Sequence, residues 1–401
     1  MTLRAIVAVL ALLPLLASRP SGQAASGVPA GQAADSQAVS AADLNAAIDK
    51  LAAFDLATRT AASRTVRRAP AAIAAPALTR AAQQHSDGYV RYKALVLLAG
   101  FGDATAGTVM RQLMGDSNGR VRMVAYAWFE HHPDPSVLPR LVDALAKEES
   151  GFVRTALLRA VAAHGDDPRA RAALQPYVMR GQDEFRGAVI GVLGDYRGAF
   201  ALDAIMDVAQ LEGPLQDDAV TAIGKIGNPA GRSVLVELQR NGPRGVQPAV
   251  AGALFLLGSN TASNEDYLKK SLQFGTVNAG FQPLLRAAAR ALAELAVRNN
   301  PAALSALLDA GVPAADPARE AIAQSLGLVA LRNPGLLIDV VELRADQAGV
   351  AELLQESFDM LSSEDYALER FYVDVRRAYW ASAANSPRRR LTESLIQKLE
   401  F

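Results

Sequence analysis

The chain repeats a short charged pattern about every 32 residues, and this repeat limits the folds that it can adopt. An aspartate and an arginine four residues apart occur at Asp55 and Arg59 and return at Asp87 and Arg91. A Val-Arg or Phe-Arg pair also returns at this step, as Val90-Arg91, Val121-Arg122, Val153-Arg154 and Phe185-Arg186. A fixed period of about 20 to 50 residues is typical of stacked units that share one continuous core. We therefore expect a solenoid.

Apolar residues within each repeat follow helical spacing and predict two antiparallel helices per unit. In one unit Leu95, Leu98 and Phe101 mark a first helix, and Val109 and Leu113 mark a second. Pairs of Asp or Asn with Pro predict helix starts. The polar side chain accepts a hydrogen bond from a free amide of the first turn, and the amide hydrogen that proline lacks is not needed at that position. These pairs are Asp134-Pro135, Asp167-Pro168, Asn228-Pro229, Asn300-Pro301, Asp316-Pro317 and Asn333-Pro334.

These patterns divide the 401 residues into four parts. Residues 1–24 are typical of a signal peptide, with a short positive start, an apolar run and a small-residue cleavage region. Residues 25–40 are small and polar and predict a flexible linker. Residues 41–346 predict a solenoid of nine helix pairs, with a longer loop at 258–264. Residues 347–401 leave the period and predict three helices that cap the open end of the stack.

The expected location is the periplasm or the outside of the cell, after cleavage of the signal peptide. An uncleaved anchor or a buried helix is the alternative for the apolar run, although the run is short for a bilayer. The absence of cysteine excludes disulfides, thiolate metal ligands and a cysteine nucleophile. Lys plus Arg equals Asp plus Glu at 41 each, so we expect no nucleic-acid partner. We also expect no membrane span in the mature chain.

Repeat starts of the form Asp-x-x-Val-Arg-x-x-Ala resemble those of HEAT repeats, and the short period is similar to the phycobilisome-lyase-like subclass. The residues that carry the resemblance are Asp87, Val90, Arg91 and Ala94, then Val121, Arg122 and Ala125, then Val153 and Arg154. The resemblance covers roughly residues 55–346. It implies an all-α, right-handed solenoid of antiparallel helix pairs that binds proteins. Deoxyhypusine hydroxylases, which are HEAT-like enzymes, bind iron through His-Glu pairs, and this sequence has no His-Glu dipeptide.

One arginine position recurs through the first repeats, and we call this set the arginine ladder. Its members are Arg59, Arg91, Arg122, Arg154 and Arg186. We expect each to pair with an acidic residue or a helix-end carbonyl, because arginine favours bidentate contacts. The candidate acidic partners are Asp87, Asp116, Glu149 and Asp183. The alternative interpretation is a basic stripe for an anionic partner.

Two histidines and two aspartates lie in equivalent turns of adjacent repeats and are the candidate metal ligands. His132 and His164 are 32 residues apart, as are Asp134 and Asp166. Imidazole and carboxylate suit zinc. Equivalent atoms of stacked helices, however, lie about 10 Å apart, whereas metal ligands lie roughly 2 Å from the ion. We therefore predict no metal and no cofactor.

Three further features each have a binding interpretation and a structural one. A basic segment after Pro387 is either an anion-binding patch or a solvated loop, and it consists of Arg388, Arg389 and Arg390. The aromatic residues of 366–380, from Tyr366 to Trp380, are either a partner hot spot or, as we favour, the core of the cap. Asp217 and Asp218, with Glu212 nearby, are expected to face solvent at a helix start.

No catalytic set is recognisable, since the sequence lacks a nucleophile elbow and a phosphate loop. We expect an exported, non-enzymatic scaffold that binds a protein or peptide partner, with the second helix of each unit lining a concave face. One alternative is a metal-dependent or ligand-binding protein that uses the rim at His132 and His164. The other is a binder of envelope anions or polymers through the C-terminal basic segment.

Overall fold

The computed structural model describes residues 39–361 and 365–401, and it consists of helices stacked in pairs. Helix α1 (Ala41–Asp49) precedes nine helix pairs. The first helices of the pairs are α2 (Leu56–Arg68), α4 (Gly88–Phe101), α6 (Gly119–His131), α8 (Gly151–Ala162), α10 (Asp183–Asp195), α12 (Gln216–Ile226), α14 (Gln247–Leu256), α16 (Gln282–Val297) and α18 (Ala318–Arg332). The second helices are α3 (Ala71–Gln84), α5 (Ala106–Leu113), α7 (Leu138–Lys147), α9 (Pro168–Leu174), α11 (Leu202–Ala209), α13 (Arg232–Asn241), α15 (Thr261–Val277), α17 (Pro301–Gly311) and α19 (Pro334–Glu342).

All regular structure in the described ranges is helical, so the predicted all-α solenoid is confirmed. The candidate signal peptide at 1–24 and the linker up to residue 38 lie outside the described residues. Within those ranges no single helix has the length and hydropathy needed to cross a membrane. Helices α18 and α19 meet that requirement only as a pair, and they are bent by 112°.

Polar side chains begin the helices as the sequence predicts. First helices start where Asp55, Asp87 and Asn118 each accept a hydrogen bond from an amide of the first turn. Asp167, Asn300 and Asn333 do the same for second helices, each followed by proline. Asp134 and Asp316 depart from the prediction, because α7 begins only at Leu138 and α18 at Ala318, and neither helix has a side-chain cap. Satisfied amides at these ends fix where each unit starts.

The predicted loop at 258–264 is wrong. Helix α15 begins at Thr261, so only four residues separate it from α14. Asn264 is buried in the first turn of α15, and its amide group donates to the Ser259 carbonyl at 2.8 Å. Small polar residues can satisfy free backbone groups locally, which is why this segment resembles a loop in sequence and yet starts a helix.

Successive first helices approach one another closely and form the inner side of the curved stack. A Cβ atom added to Gly194 of α10 would lie 2.9 Å from the Cα of Ala222 in α12. One added to Gly224 of α12 would lie 2.7 Å from the Cβ of Ala253 in α14. First helices far apart in sequence also meet across the curve, as described below. The expectation that second helices line the concave face is therefore wrong, because first helices line the inner cavity described below.

The close approach at Gly224 predicts a large effect for a single methyl group. We expect Gly224→Ala to lower the free energy of unfolding by about 1–3 kcal/mol, because the backbone of α14 must move to accommodate it. Gly191 of α10 is the matched control, since no atom lies within 4 Å of a Cβ built there. Gly191→Ala should be neutral or stabilise by up to about 1 kcal/mol through helix propensity. Urea denaturation of both variants checks this, and equal effects would contradict the inner packing.

Three helices follow the ninth pair, in the region that the sequence assigns to the cap. They are α20 (Gln347–Met360), α21 (Asp365–Ala381) and α22 (Pro387–Lys398). Helix α20 continues the series of first helices by packing on α18, and α22 packs on α19, α20 and α21. Helix α21 also packs against α4, near the other end of the stack. The cap therefore connects the two ends of the solenoid.

Candidate functional site

Buried charges attach α21 to the N-terminal repeats. Glu369, whose residue is only 1% exposed, accepts a hydrogen bond from Arg67 Nε at 2.8 Å. Asp365 accepts from the Tyr92 hydroxyl and from Lys93 Nζ, both at 2.6 Å. These partners lie about 270 to 300 positions apart in the chain. The contacts close the inner side of the curve, so that it becomes a cavity.

The inner cavity has a volume of about 910 Å³ and is lined by α6, α8, α10, α12, α16, α18 and α21. Part of its wall is apolar and includes Met123, Phe152, Leu328 and Leu331. The rest is strongly charged. Three carboxylates line it, namely Glu130, Asp195 and Glu294, against seven cationic side chains: Arg159, Lys225, Arg286, Arg290, Arg298, Arg332 and Arg370.

Asp195 is the centre of the charged network in this cavity. It accepts hydrogen bonds from Arg159 at 2.7 Å and from Arg332 at 3.0 Å, and it also contacts Lys225. Burial alone would raise the pKa of Asp195, but the three cations outweigh burial and hold the pKa well below its ordinary value. Asp195 is therefore ionised at neutral pH, and its carboxylate joins α8, α10, α12 and α18.

The two other carboxylates extend the network along the inner helices. Glu130 accepts from Arg159 Nε and from the Tyr196 hydroxyl, both at 2.7 Å. Burial would raise the pKa of Glu130, but Arg159 more than compensates and lowers it. Glu294 accepts from Lys225 at 2.9 Å. Its second oxygen is buried and has no hydrogen-bond partner among the described residues.

His131 marks the part of the cavity next to α21. Its Nε2 atom lies 2.5 Å from Arg370, and its ring stacks near Tyr366 at 6.1 Å between centroids. Burial lowers the pKa of His131 to about 4, with Arg370 acting in the same direction and Glu130 opposing. The ring is therefore neutral at pH 7 and accepts the hydrogen bond from the guanidinium. Arg370 gains no anionic partner from this contact.

Sequence reasoning missed this network, although the sequence contains a signal for it. Charges of alternating sign occupy the last turns of successive inner helices at Glu130, Arg159, Asp195 and Lys225. The steps of 29 and 36 residues between the first three are close to the repeat period. A charge at an otherwise apolar inner position needs a partner when buried. Charges that alternate in sign at the repeat period would thus have indicated ion pairs between neighbouring units.

The arginine ladder has mainly the structural role that the sequence predicts. Arg91 forms a bidentate pair with Asp116 at 3.1 and 2.9 Å, and Arg122 does the same with Glu148 at 2.9 Å. Glu148, rather than the neighbouring Glu149, is thus the acidic partner. Both arginines also donate to carbonyls of the preceding loop. Each such pair ties one unit to the next.

The remaining members of the ladder vary this arrangement. Arg59 donates to the carbonyls of Ala53 and Phe54, and Arg186 pairs with Asp183 at 2.9 Å. Arg154 instead lies 3.6 Å from the centroid of the Phe185 ring. Its Nε atom is buried without a hydrogen-bond partner among the described residues. Asp87, another candidate partner, caps α4.

The candidate metal ligands lie in neighbouring turns but have other contacts. His132 stacks on Trp128 at 3.7 Å, and its Nδ1 lies 3.0 Å from the Trp128 carbonyl. Asp134 accepts from the Ser136 amide at 2.8 Å and pairs with Arg111. Asp166 pairs with Arg171 at 3.0 Å. Burial lowers the pKa of His164. Over residues 39–361 and 365–401, no three His, Asp or Glu side chains are arranged to hold a metal.

The C-terminal basic segment is not a solvated loop, because it forms the first turn of α22 and makes contacts within the chain. Arg388 pairs with Glu342 at 2.7 Å, Arg389 lies 3.3 Å from the Tyr379 ring centroid, and Arg390 donates to the Asn385 carbonyl. Of the aromatic residues of 366–380, Tyr366 and Phe371 are buried, as expected for a cap, whereas Trp380 is exposed. The arginines therefore help to position the cap.

The expectation that the acidic residues at the start of α12 face solvent is wrong for two of the three. Asp218 is half-buried and accepts from Arg290 of α16 at 2.6 Å. Burial raises the pKa of Asp217. Only Glu212 is exposed. The reason is that α12 is an inner helix, so its first turn faces the charged wall of the cavity rather than water.

An exposed apolar surface lies on the opposite, outer side of the stack, and we call it the outer ridge. It comprises Tyr267, Phe274, Val277 and Phe281. The Phe274 and Phe281 rings meet edge to face at 4.8 Å between centroids. Helix α15 has 17 residues, against 10 in α13 and 11 in α17, and it is the longest of the second helices. Val277, in the last turn, is 76% exposed.

Comparison with known proteins identifies the repeat type. A family model for HEAT repeats matches residues 75–162 and, overlapping them, 108–194. The chain is an α-solenoid, and residues 75–194 of it match HEAT repeats. No curated protein matches the sequence.

Three solved structures share some likeness with the chain. The Escherichia coli protein YibA is 16% identical over 54% of this chain and 81% of its own, with a TM-score of 0.40. Human deoxyhypusine hydroxylase is 19% identical over 54% and 96%, with a TM-score of 0.27. Importin beta is 11% identical over 89% and 60%, with a TM-score of 0.34. Likeness of this degree carries no information about activity or partner.

Proposed function

We propose that the protein is an exported, non-enzymatic scaffold that binds a partner protein through the outer ridge. The observation that carries the proposal is the exposed aromatic surface on α15, the longest of the second helices. HEAT repeats are protein-interaction modules in general. The signal-like pattern of residues 1–24 supports export to the periplasm or beyond. The period of 31–33 residues supports the phycobilisome-lyase-like subclass of repeats.

The outer ridge has the composition of an interface core with its rim. Phenylalanine and tyrosine supply large contact area and are typical anchors of protein interfaces. Ion pairs within α15, Lys269 with Glu265 and Lys270 with Asp266, lie beside the apolar residues and leave no excess charge. The partner surface is therefore expected to be apolar and uncharged at its centre. A stable complex needs about 800 Å² on each side, which an open outer face can supply.

The test compares capture of a partner by matched variants of the full chain. Wild-type protein, incubated with the envelope fraction of its native host, is expected to capture a partner protein. The double variant Phe274→Ser/Phe281→Ser should bind that partner with about 100-fold lower affinity. Leu211→Ser is the control, because Leu211 is 61% exposed on the chain and lies off the ridge. N-terminal sequencing of the protein isolated from its native host should show that the mature chain begins after Ala24.

Two outcomes would count against the proposal. Equal capture by the wild type and the double variant would remove the ridge as the docking surface. Loss of capture by the Leu211 control as well would indicate non-specific adhesion. Both phenylalanines are about half exposed, so the double variant should keep the thermal stability of the wild type, and a thermal melt verifies that it is folded.

A further inference from the structure

We propose that the inner cavity is a binding site for a small organic anion, namely a molecule with a carboxylate, phosphate or sulfonate group on an apolar body. This site is separate from the outer ridge, and its function does not depend on a protein partner. The cavity volume of about 910 Å³ is near the upper end of the range, about 300–1,000 Å³, in which proteins bind small molecules.

The first argument is the balance of charge on the cavity wall. Its three carboxylates are each in contact with cations of the wall: Glu130 with Arg159, Asp195 with three partners, and Glu294 with Lys225. Arg290 pairs with Asp218 at the edge. The remaining cations, Arg286, Arg298 and Arg370, have no carboxylate partner among the residues that the structure describes. An anion of the ligand would neutralise this excess.

The second argument is the surroundings of two of these arginines, Arg298 and Arg370. Arg298 donates to the Lys225 carbonyl at 3.1 Å, and burial, together with the nearby Arg197, lowers its pKa. Arg370 contacts the neutral ring of His131 and forms no ion pair with a carboxylate of the described residues. Guanidinium groups form strong bidentate bonds with carboxylate, phosphate and sulfonate oxygens. Such a bond within a partly enclosed cavity is screened less than one on an open surface.

The third argument is the apolar part of the wall, which selects the body of the ligand. Phe152 is more than half exposed although it lines the cavity, so its ring offers a stacking surface. Leu328 and Leu331 of α18 and Met123 of α6 add aliphatic contact. An inorganic anion would leave this surface in water, whereas an aromatic or aliphatic body would cover it.

The experiment titrates the full chain with anilinonaphthalene sulfonate, a fluorescent organic anion, and with N-phenylnaphthylamine, its uncharged analogue. We expect saturable binding of one sulfonate dye per chain and weaker binding of the uncharged dye. Arg286→Gln and Arg298→Gln should each weaken binding of the sulfonate dye by about tenfold. Arg240→Gln is the control, because Arg240 is exposed on α13, outside the cavity.

Folding of each variant is checked by its thermal midpoint. Arg286 is exposed and has no ion pair within the described residues, so Arg286→Gln should retain the wild-type midpoint and keeps the test valid. Three results would overturn the proposal: no saturable binding, equal affinity for the two dyes, or equal affinity of the wild type and both cavity variants. A matching loss in Arg240→Gln would also overturn it, since it would indicate attraction by general surface charge. Dye bound at the outer ridge would persist in both cavity variants.

Discussion

Asp195→Asn is expected to lower the free energy of unfolding by about 3–5 kcal/mol, a typical cost when one partner of a buried ion pair is removed. The amide keeps the size of the side chain but leaves Arg159, Lys225 and Arg332 without their shared anion. Urea denaturation at pH 7 measures the loss. Asp203→Asn is the control, because Asp203 is exposed on α11, and it should change stability by less than about 0.5 kcal/mol.

A second variant separates the loss of charge balance from a general disturbance. Adding Arg332→Met to Asp195→Asn removes one of the unpaired cations and should restore part of the lost stability. Simple additivity would predict a further loss instead. Additive losses would show that Asp195 does not act as the centre of the network.

The stability conferred by Asp195 should also depend on pH. The unfolded carboxyl titrates near 3.8, and the pKa of the folded one lies below that value. The unfolded chain therefore binds more protons between these two values, and stability rises with pH across that interval. The difference in stability between wild type and Asp195→Asn should be complete above about pH 5 and should shrink as the pH falls through 3.8.

His131 contributes a separate pH dependence. The stability of both proteins should decline as the pH falls from 6.5 to about 4, because only the unfolded imidazole binds a proton in that interval.

Features that depend on one repeat and its neighbour could be predicted from the sequence. Asp87 and Asn118 cap helices through amides two residues away. The pair of Arg91 with Asp116 joins positions 25 apart, within one repeat period. Such contacts form wherever two adjacent units stack, whatever the curvature of the whole. This is why the helix pairs, the helix starts and most of the arginine ladder agree with the pattern of the sequence.

The inner cavity could not be predicted in this way, because it depends on curvature that accumulates over many units. The pair of Arg332 with Asp195 spans 137 residues, and that of Arg67 with Glu369 spans 302. A small change in the angle per repeat would separate both pairs without altering any local pattern. The close approach at Gly194 and Gly224 indicates which helices lie inside the bend. Sequence alone does not reveal that α21 returns to the first repeats.

Glu369→Ala should release this returning helix and is expected to cost about 3–5 kcal/mol of stability. Glu369 is buried, and its loss leaves Arg67 and Arg376 without their carboxylate partner. Hydrogen exchange should show the effect locally, as lost protection in α21, α22 and the facing α2 and α4. Protection in α10 to α14 should remain, because each unit of a solenoid is stabilised mainly by its neighbours.

Asp374→Ala provides the control on the same helix, since Asp374 pairs with no cation of the described residues except the exposed Arg377, at 2.7 Å. Such a pair contributes less than about 1 kcal/mol, so protection of α21 should stay at the wild-type level. A uniform loss of protection throughout Glu369→Ala, or no loss, would contradict docking of α21 by its buried carboxylate. Helix α21 also supplies Arg370 and Tyr366 to the inner cavity. Release of α21 should therefore weaken binding of the sulfonate dye, although Glu369 itself does not line the cavity. The Asp374→Ala control should bind the dye as the wild type does.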